Sequence, residues 1–244
     1  MALNFSLDSL LEQSLLTEDP WWVYILNGAW WTIGLTIAAF ALALLIGIIV
    51  GTLRTVPNKF VRGLCEAWIE LFRNIPLIVQ IFIWYFVVPE LVPWYKDWLI
   101  EVDPAVGQFV TAFICMGLFT SSRIAEQVRA GISSLPRGLP NAAKALGFTT
   151  VQAYVQVVLP MAMRLIVPPL TSESMNLVKN TAVAMTIGLP ELTMRANEMG
   201  ENTFTFFAAY LWATILYIII ALVVNQLMAW VEKKSVIPGF IAAK

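Results

Sequence analysis

From Trp21 to Leu53 the chain carries no charged side chain at all. About 20 consecutive apolar residues cross a bilayer core, so a stretch this long commits the chain to a membrane-spanning helix. Gly34, Gly47 and Gly51 lie within it, and such small residues suit close helix packing. The span is expected at about 29–53, with Trp21, Trp22, Trp30 and Trp31 as an interfacial belt. The segment that follows, LRTVPNKFVR, contains Arg54, Lys59 and Arg62 and no acid. Basic residues beside a span mark its cytoplasmic end, which places the N-terminus outside.

The same pattern recurs along the chain. Of 244 residues, 59% are hydrophobic and 13% charged, with mean hydropathy +0.76. A soluble domain carries about 25% charged residues, so this surface cannot all face water. The expected fold is an all-α integral membrane protein of about five transmembrane helices, a single domain over residues 1–244. An amphipathic approach at 64–73, LCEAWIELFR, leads into a second span at about 71–92, kinked at Pro76. The loop PELVPWYKDWLIEVDP is rich in acids and tryptophan, as expected of an outer interface. A third span is expected at about 106–130. A fourth, about 166–190, is interrupted by Pro168-Pro169 and polar enough to belong inside the bundle. A fifth, about 203–231, ends at Glu232-Lys233-Lys234 and returns the C-terminus to the cytoplasm. Of the fifteen lysines and arginines, only Lys96 and Arg195 then fall in outer loops.

Several chemistries are absent from the outset. The chain has no histidine, which removes imidazole metal sites and histidine acid–base catalysis, and no metal site is expected. Cys65 and Cys115 sit far apart in apolar surroundings and are expected to be buried thiols. No GxxxxGK[ST] loop is present, so any ATP is hydrolysed by another chain. A net charge of −1 argues against nucleic acid as a partner. The N-terminal MALNFSLDSLLEQSLLTEDP lacks the basic and apolar regions of a cleaved signal and reads as short, acidic and amphipathic.

One segment does not fit this greasy background. Residues 137–160, RGLPNAAKALGFTTVQAYVQVVLP, are expected to form a short helix, a turn at Gly147 and a second short helix, lying outside the hydrocarbon. Val151, Tyr154, Val155 and Val158 would share one face of the second helix. Elsewhere, charges inside the membrane need reasons. Arg123, Glu126 and Arg129 stand three residues apart, so Glu126 can pair with either arginine, and Glu126–Arg129 reads as a structural ion pair. Arg123 is deeper; its guanidinium forks onto carboxylates, which suits an amino-acid or dicarboxylate ligand. Ser122 extends this polarity into the membrane. Ser172, Asn176 and Asn180 repeat at four-residue spacing beside Thr181, a stripe that can replace water around a zwitterion or hold helices together. Gln80 sits in mid-span and needs a partner. Arg195, with Glu191, Glu198 and Glu201, is either solvated surface or a docking face for an external protein.

Asn141-Ala142-Ala143, then Gly147, then Val157-x-Leu159-Pro160 resembles the cytoplasmic coupling loop of ABC importer permeases. There the pattern is Glu-Ala-Ala, three residues, Gly, nine residues and Ile-x-Leu-Pro; here Asn141 replaces the Glu and Val157 the Ile. LRTVPN at 53–58, ELFRNIPLIVQ at 70–80, EQVRAGISSLPRG at 126–138 and MNLVKN at 175–180 extend the resemblance over about 50–235. They look like permease subunits of bacterial polar amino-acid ABC importers, most like those for glutamate and aspartate. The resemblance implies a type I importer permease fold in the bacterial inner membrane, with the N-terminus periplasmic and the C-terminus cytoplasmic. It implies a second permease subunit, a heterodimer being favoured, two ATP-binding subunits carrying ATP and Mg, a periplasmic solute-binding protein and surrounding lipid. Asn141, Ala142, Ala143, Lys144, Gly147, Leu159 and Pro160 would dock on the ATPase. Arg123, Ser122, Gln80, Ser172, Asn176, Asn180 and Thr181 would meet the substrate. The subunit itself is then not an enzyme. The alternatives are import of another polar amino acid (glutamine, histidine, arginine), an ion-coupled secondary transporter, or an integral membrane enzyme, for which no nucleophile–base pair is present.

Overall fold

The computed structural model describes residues 11, 13, 14, 16, 19–136 and 138–235. Most of the acidic N-terminal stretch and Arg137 lie outside these. The described residues are nearly all helical and contain no strand. Helix α1, Trp21–Leu53, takes up the whole uncharged run and is 33 residues long, roughly 50 Å at 1.5 Å per residue. It starts earlier than expected because no charge or proline interrupts the residues after Pro20. Trp21 therefore is not part of a belt: it is buried, edge-on to Tyr24, while Trp22 and Trp30 are exposed.

Asn58 caps α2, Lys59–Asn74, by accepting from the Phe60 and Val61 amides. The expected second span is two helices. Ile75 is extended at φ −93°, ψ 129°, as the residue before a proline is pushed to be, and the chain turns by 100° into α3, Leu77–Leu91. The proline at 76 makes a break where a kink was expected. Then follow α4 (Pro93–Glu101), α5 (Pro104–Ser134), α6 (Leu139–Ala145), α7 (Thr150–Ile187), α8 (Leu192–Thr203) and α9 (Phe206–Ser235). By length and composition α1, α5, α7 and α9, among the described residues, can each cross a membrane, and the bent pair α2 and α3 adds a fifth if it counts as one broken span.

The prolines act differently from place to place. Wide π turns at Ile83–Val87 and Tyr154–Val158 each end two residues before a proline, Pro89 and Pro160, where the missing N–H would otherwise strand a carbonyl. Pro160 thus lies inside α7, and the second short helix expected after Gly147 is the beginning of that long helix. Pro168 and Pro169 also sit inside α7, which runs on to Ile187. The expected break falls later, at Gly188, whose φ is +86°. Prolines are tolerated within a membrane helix where neighbouring groups satisfy the freed backbone.

The chain divides into two compact units. One holds Phe40–Ile75, Gly117–Met175 and Val224–Lys244. Its core is Ala43, Ile124, Val128, Ile166 and Leu170, and glycines bring the helices together. A Cβ on Gly51 would stand 2.5 Å from the Ala125 carbonyl oxygen, and one on Gly131 2.5 Å from Ile166. Gly47 is equally tight against Ile124, whereas Gly34, in the other unit, has ordinary contact at 3.9 Å. The Gly51→Val variant is expected to destabilise the subunit by about 1–3 kcal/mol through overpacking, read as a lower unfolding temperature in detergent. The other unit holds Met1–Ala39, Pro76–Met116 and Asn176–Val223. In it Gly28 of α1 lies against Leu192 and Arg195 of α8, and the Thr32 hydroxyl accepts from the Leu192 amide at 3.2 Å.

Candidate functional site

The polar segment after α5 is built by local rules. At the end of α6 the Phe148 amide donates to Ala143 O at 3.2 Å and the Gly147 amide to Lys144 O at 2.9 Å. This closing motif requires a left-handed residue between them, and Gly147 supplies φ +91°. Two residues on, Thr149 and Gln152 cap α7 reciprocally: the Gln152 amide donates to the Thr149 hydroxyl, and Gln152 Oε1 accepts from the Thr149 amide.

The result is a tight corner with a distinct outer face. Asn141, Ala142, Lys144 and Gly147 are exposed, while Ala143 is buried against its own fold. Leu159 packs on the core of its unit, so it supports the corner from behind. Pro160 is exposed but stands in α7. The four residues expected on one face of the second helix divide: Val158 is buried and Tyr154 half-buried, but Val151 and Val155 are exposed. A π turn runs through Tyr154–Val158 in this stretch. Leu146, which is 80% exposed, joins Val151 and Val155 as exposed apolar side chains on a polar segment. Sequence reasoning missed Leu146, although an apolar residue beside a turn glycine is the signal that marks it.

Next to this corner in the same unit lies a chain of charges. Glu126 accepts from Arg129 at 3.1 Å, as expected from spacing, and is also paired with Arg54. Arg54 reaches Glu66 of α2 at 3.6 Å, and Arg62 meets Glu66 at 3.8 Å. Tyr154 and Thr55 approach through their hydroxyls at 3.5 Å. Arg54 was legible only as a topology marker; its partner lies 72 positions away.

Arg123 does not pair with Glu126. Its guanidinium meets Glu173 of α7 at 3.5 Å and lies over the Phe119 ring at 5.4 Å. Ser122 is buried, its hydroxyl donating to Phe119 O at 2.7 Å, so it serves its own helix. Thr181 does the same with Val178 O at 2.7 Å. Ser172 is exposed, and Asn176 and Asn180 are half-buried, all on the α-helical run that continues to Asn180. Gln80 is buried in the other unit.

That unit contains a second polar cluster. Glu191, wholly buried, caps α8 by accepting from the Met194 amide at 2.8 Å and accepts from the Tyr217 hydroxyl at 2.6 Å. Arg195 lies over the Tyr24 ring and donates to Glu198 at 3.1 Å. Burial pushes the Glu191 carboxyl above the ordinary glutamate range, against the hydrogen bonds that favour its charge. A carboxyl shifted upward contributes stability that is present below the unfolded value and is lost as pH rises through the folded one. Through Glu191 the subunit is therefore expected to lose stability as pH rises from the ordinary carboxylate range, and the difference in unfolding temperature between the subunit and its Glu191→Gln variant should carry that slope. Among the described residues no three of His, Cys, Asp and Glu come together.

Residues 43–236 match the family described as the binding-protein-dependent transport system inner membrane component. Over its whole length the chain is 43% identical to the glutamate/aspartate import permease protein GltJ of Escherichia coli, strains K12 and O6:H1, covering 100% of both chains. It is 27% identical over 213 residues to the glutamate/aspartate import permease protein GltK of Escherichia coli O6:H1, covering 87% of this chain and 93% of that one. A chain from the crystal structure of an amino acid ABC transporter with histidines superposes with a TM-score of 0.72 at 24% identity, over 87% of this chain and 94% of that one.

Proposed function

The chain belongs to the inner membrane components of binding-protein-dependent transport systems, and from that premise we propose that it passes an acidic L-amino acid inward for an ATP-driven importer. As a translocation subunit of an ABC importer it is not an enzyme, and it resides in the inner membrane as a multi-pass helical protein. The substrate class is carried by one observation: the 43% identity, end to end, with a protein named for glutamate and aspartate import. Arg123 supplies the matching chemistry, a partly exposed guanidinium facing a single carboxylate.

Around this subunit we place a second permease of the same family. A heterodimer is favoured because one strain holds both GltJ and GltK, each similar to this chain. Two ATP-binding subunits, carrying ATP and Mg, sit under the corner at Gly147, and a periplasmic binding protein delivers the substrate from the other side. ATP binding closes the motor subunits and moves the corners as levers. Transport follows from the difference in substrate affinity between the inward- and outward-open states. Asn141, Ala142, Lys144 and Gly147 present the docking face, with Ala143 and Leu159 packed behind it and Pro160 exposed on α7. Ser172, Asn176 and Asn180 offer neutral hydrogen-bonding groups along α7, the helix that carries Glu173.

Uptake of labelled L-glutamate into proteoliposomes holding the assembled complex tests this reading. ATP inside and binding protein outside should both be required; uptake driven by a proton gradient without the ATPase would overturn it. The orientation has its own check. A Lys144→Cys variant should react with impermeant maleimide only from the cytoplasmic side.

A further inference from the structure

Arg123 is held loosely for a structural ion pair. The closest approach of its guanidinium to Glu173 is 3.5 Å, whereas a guanidinium kept for structure commonly forks onto both carboxylate oxygens at about 2.7–2.9 Å. Glu126, three residues along the same helix, is taken by Arg54 and Arg129 instead. The Arg123 side chain is 41% exposed and that of Glu173 only 13%. The arginine is thus the accessible member, and the acid is the one held within the fold.

We propose that Glu173 is an internal stand-in for the cargo carboxylate: it occupies Arg123 in the empty permease and is displaced by the side-chain carboxylate of an acidic amino acid. The inference rests on Arg123 being the cargo-binding cation. Exchanging one carboxylate for another never leaves the guanidinium bare. A neutral amide cannot make the exchange, because displacing Glu173 would leave a partly buried charge without compensation. Glu173 therefore sets charge selectivity by competition as well as by attraction. The same competition keeps the cargo from binding too tightly to leave.

The test is direct binding of radiolabelled L-glutamate to the assembled permease–ATPase complex in nanodiscs without binding protein. Glu173→Gln, which keeps the shape and removes the competing charge, should tighten binding by about fivefold, the equivalent of an ion pair worth about 1 kcal/mol. Glu173→Asp, too short to reach Arg123, should act in the same direction and carries the measurement if the Gln variant fails to assemble. The charge swap Arg123→Glu with Glu173→Arg retains an ion pair and should still lose L-glutamate binding, which a purely structural pair would not. Unchanged affinity in the Gln and Asp variants, with binding abolished by Arg123→Ala, would overturn the stand-in and leave Arg123 in the site. Unchanged affinity in Arg123→Ala would overturn both.

Discussion

Replacing Gly147 with valine is expected to abolish ATP-driven uptake while the subunit still inserts and assembles. Two effects combine at that position. Its φ of +91° is closed to a β-branched residue, so the corner must open and lose the two amide–carbonyl bonds that end α6. The exposed face of Asn141, Ala142 and Leu146 then no longer stands where a motor subunit meets it. A coupling free energy of about 1–3 kcal/mol corresponds to a 5- to 150-fold change, and losing all of it should drop uptake by about that much. A control stands nine residues upstream. Gly138 has φ −76° and open space around its Cα, so Gly138→Ala should be silent. Measuring uptake and ATPase rate together separates the cases: turnover of ATP without transport is expected for the valine variant. Normal uptake would remove the corner from the coupling path.

The Arg123→Ala variant should lose most L-glutamate uptake with little effect on assembly or on the basal ATPase rate. Truncating the arginine leaves Glu173, with its 13% exposed side chain, without this partner, at a cost of about 1 kcal/mol for a partly exposed pair. Some of the loss would then come from α7 being disturbed and not from a missing cargo contact. The double variant Arg123→Ala with Glu173→Gln removes that term. If the loss persists at roughly tenfold or more in the double variant, it belongs to the cargo; if uptake returns, Arg123 is a structural residue.

The pairing of Arg123 shows where helical spacing stops being informative. The i,i+3 rule makes both Arg123 and Arg129 eligible partners for Glu126, and it placed Arg129 correctly. It is blind to Arg54, which arrives from the end of α1, and to Glu173, which arrives on α7 and claims Arg123. The prolines show a second limit. Pro76 breaks the chain through 100°, while Pro168 and Pro169 pass inside one helix, although each lacks the same N–H. A proline's cost depends on what surrounds the freed carbonyls, and that is a property of the packed bundle. The face of the segment after Gly147 was misjudged for a related reason. Regular spacing puts Val151 and Val158 on one side, yet Val158 is buried and Val151 exposed, and a π turn runs through Tyr154–Val158.

By itself the sequence determined much of what depends on short-range energetics or bulk transfer. Apolar runs too long for water fix the all-helical membrane class, and Gly147 fixes a reversal because only glycine takes that backbone angle without strain. The threonine–glutamine cap after it is likewise complete within four residues. Only the tertiary structure decided which charges meet, which glycines touch a neighbouring backbone and which apolar side chains stay uncovered. Those outcomes turn on distances between segments far apart in the chain, and a free energy set by a partner cannot be read from one helix alone.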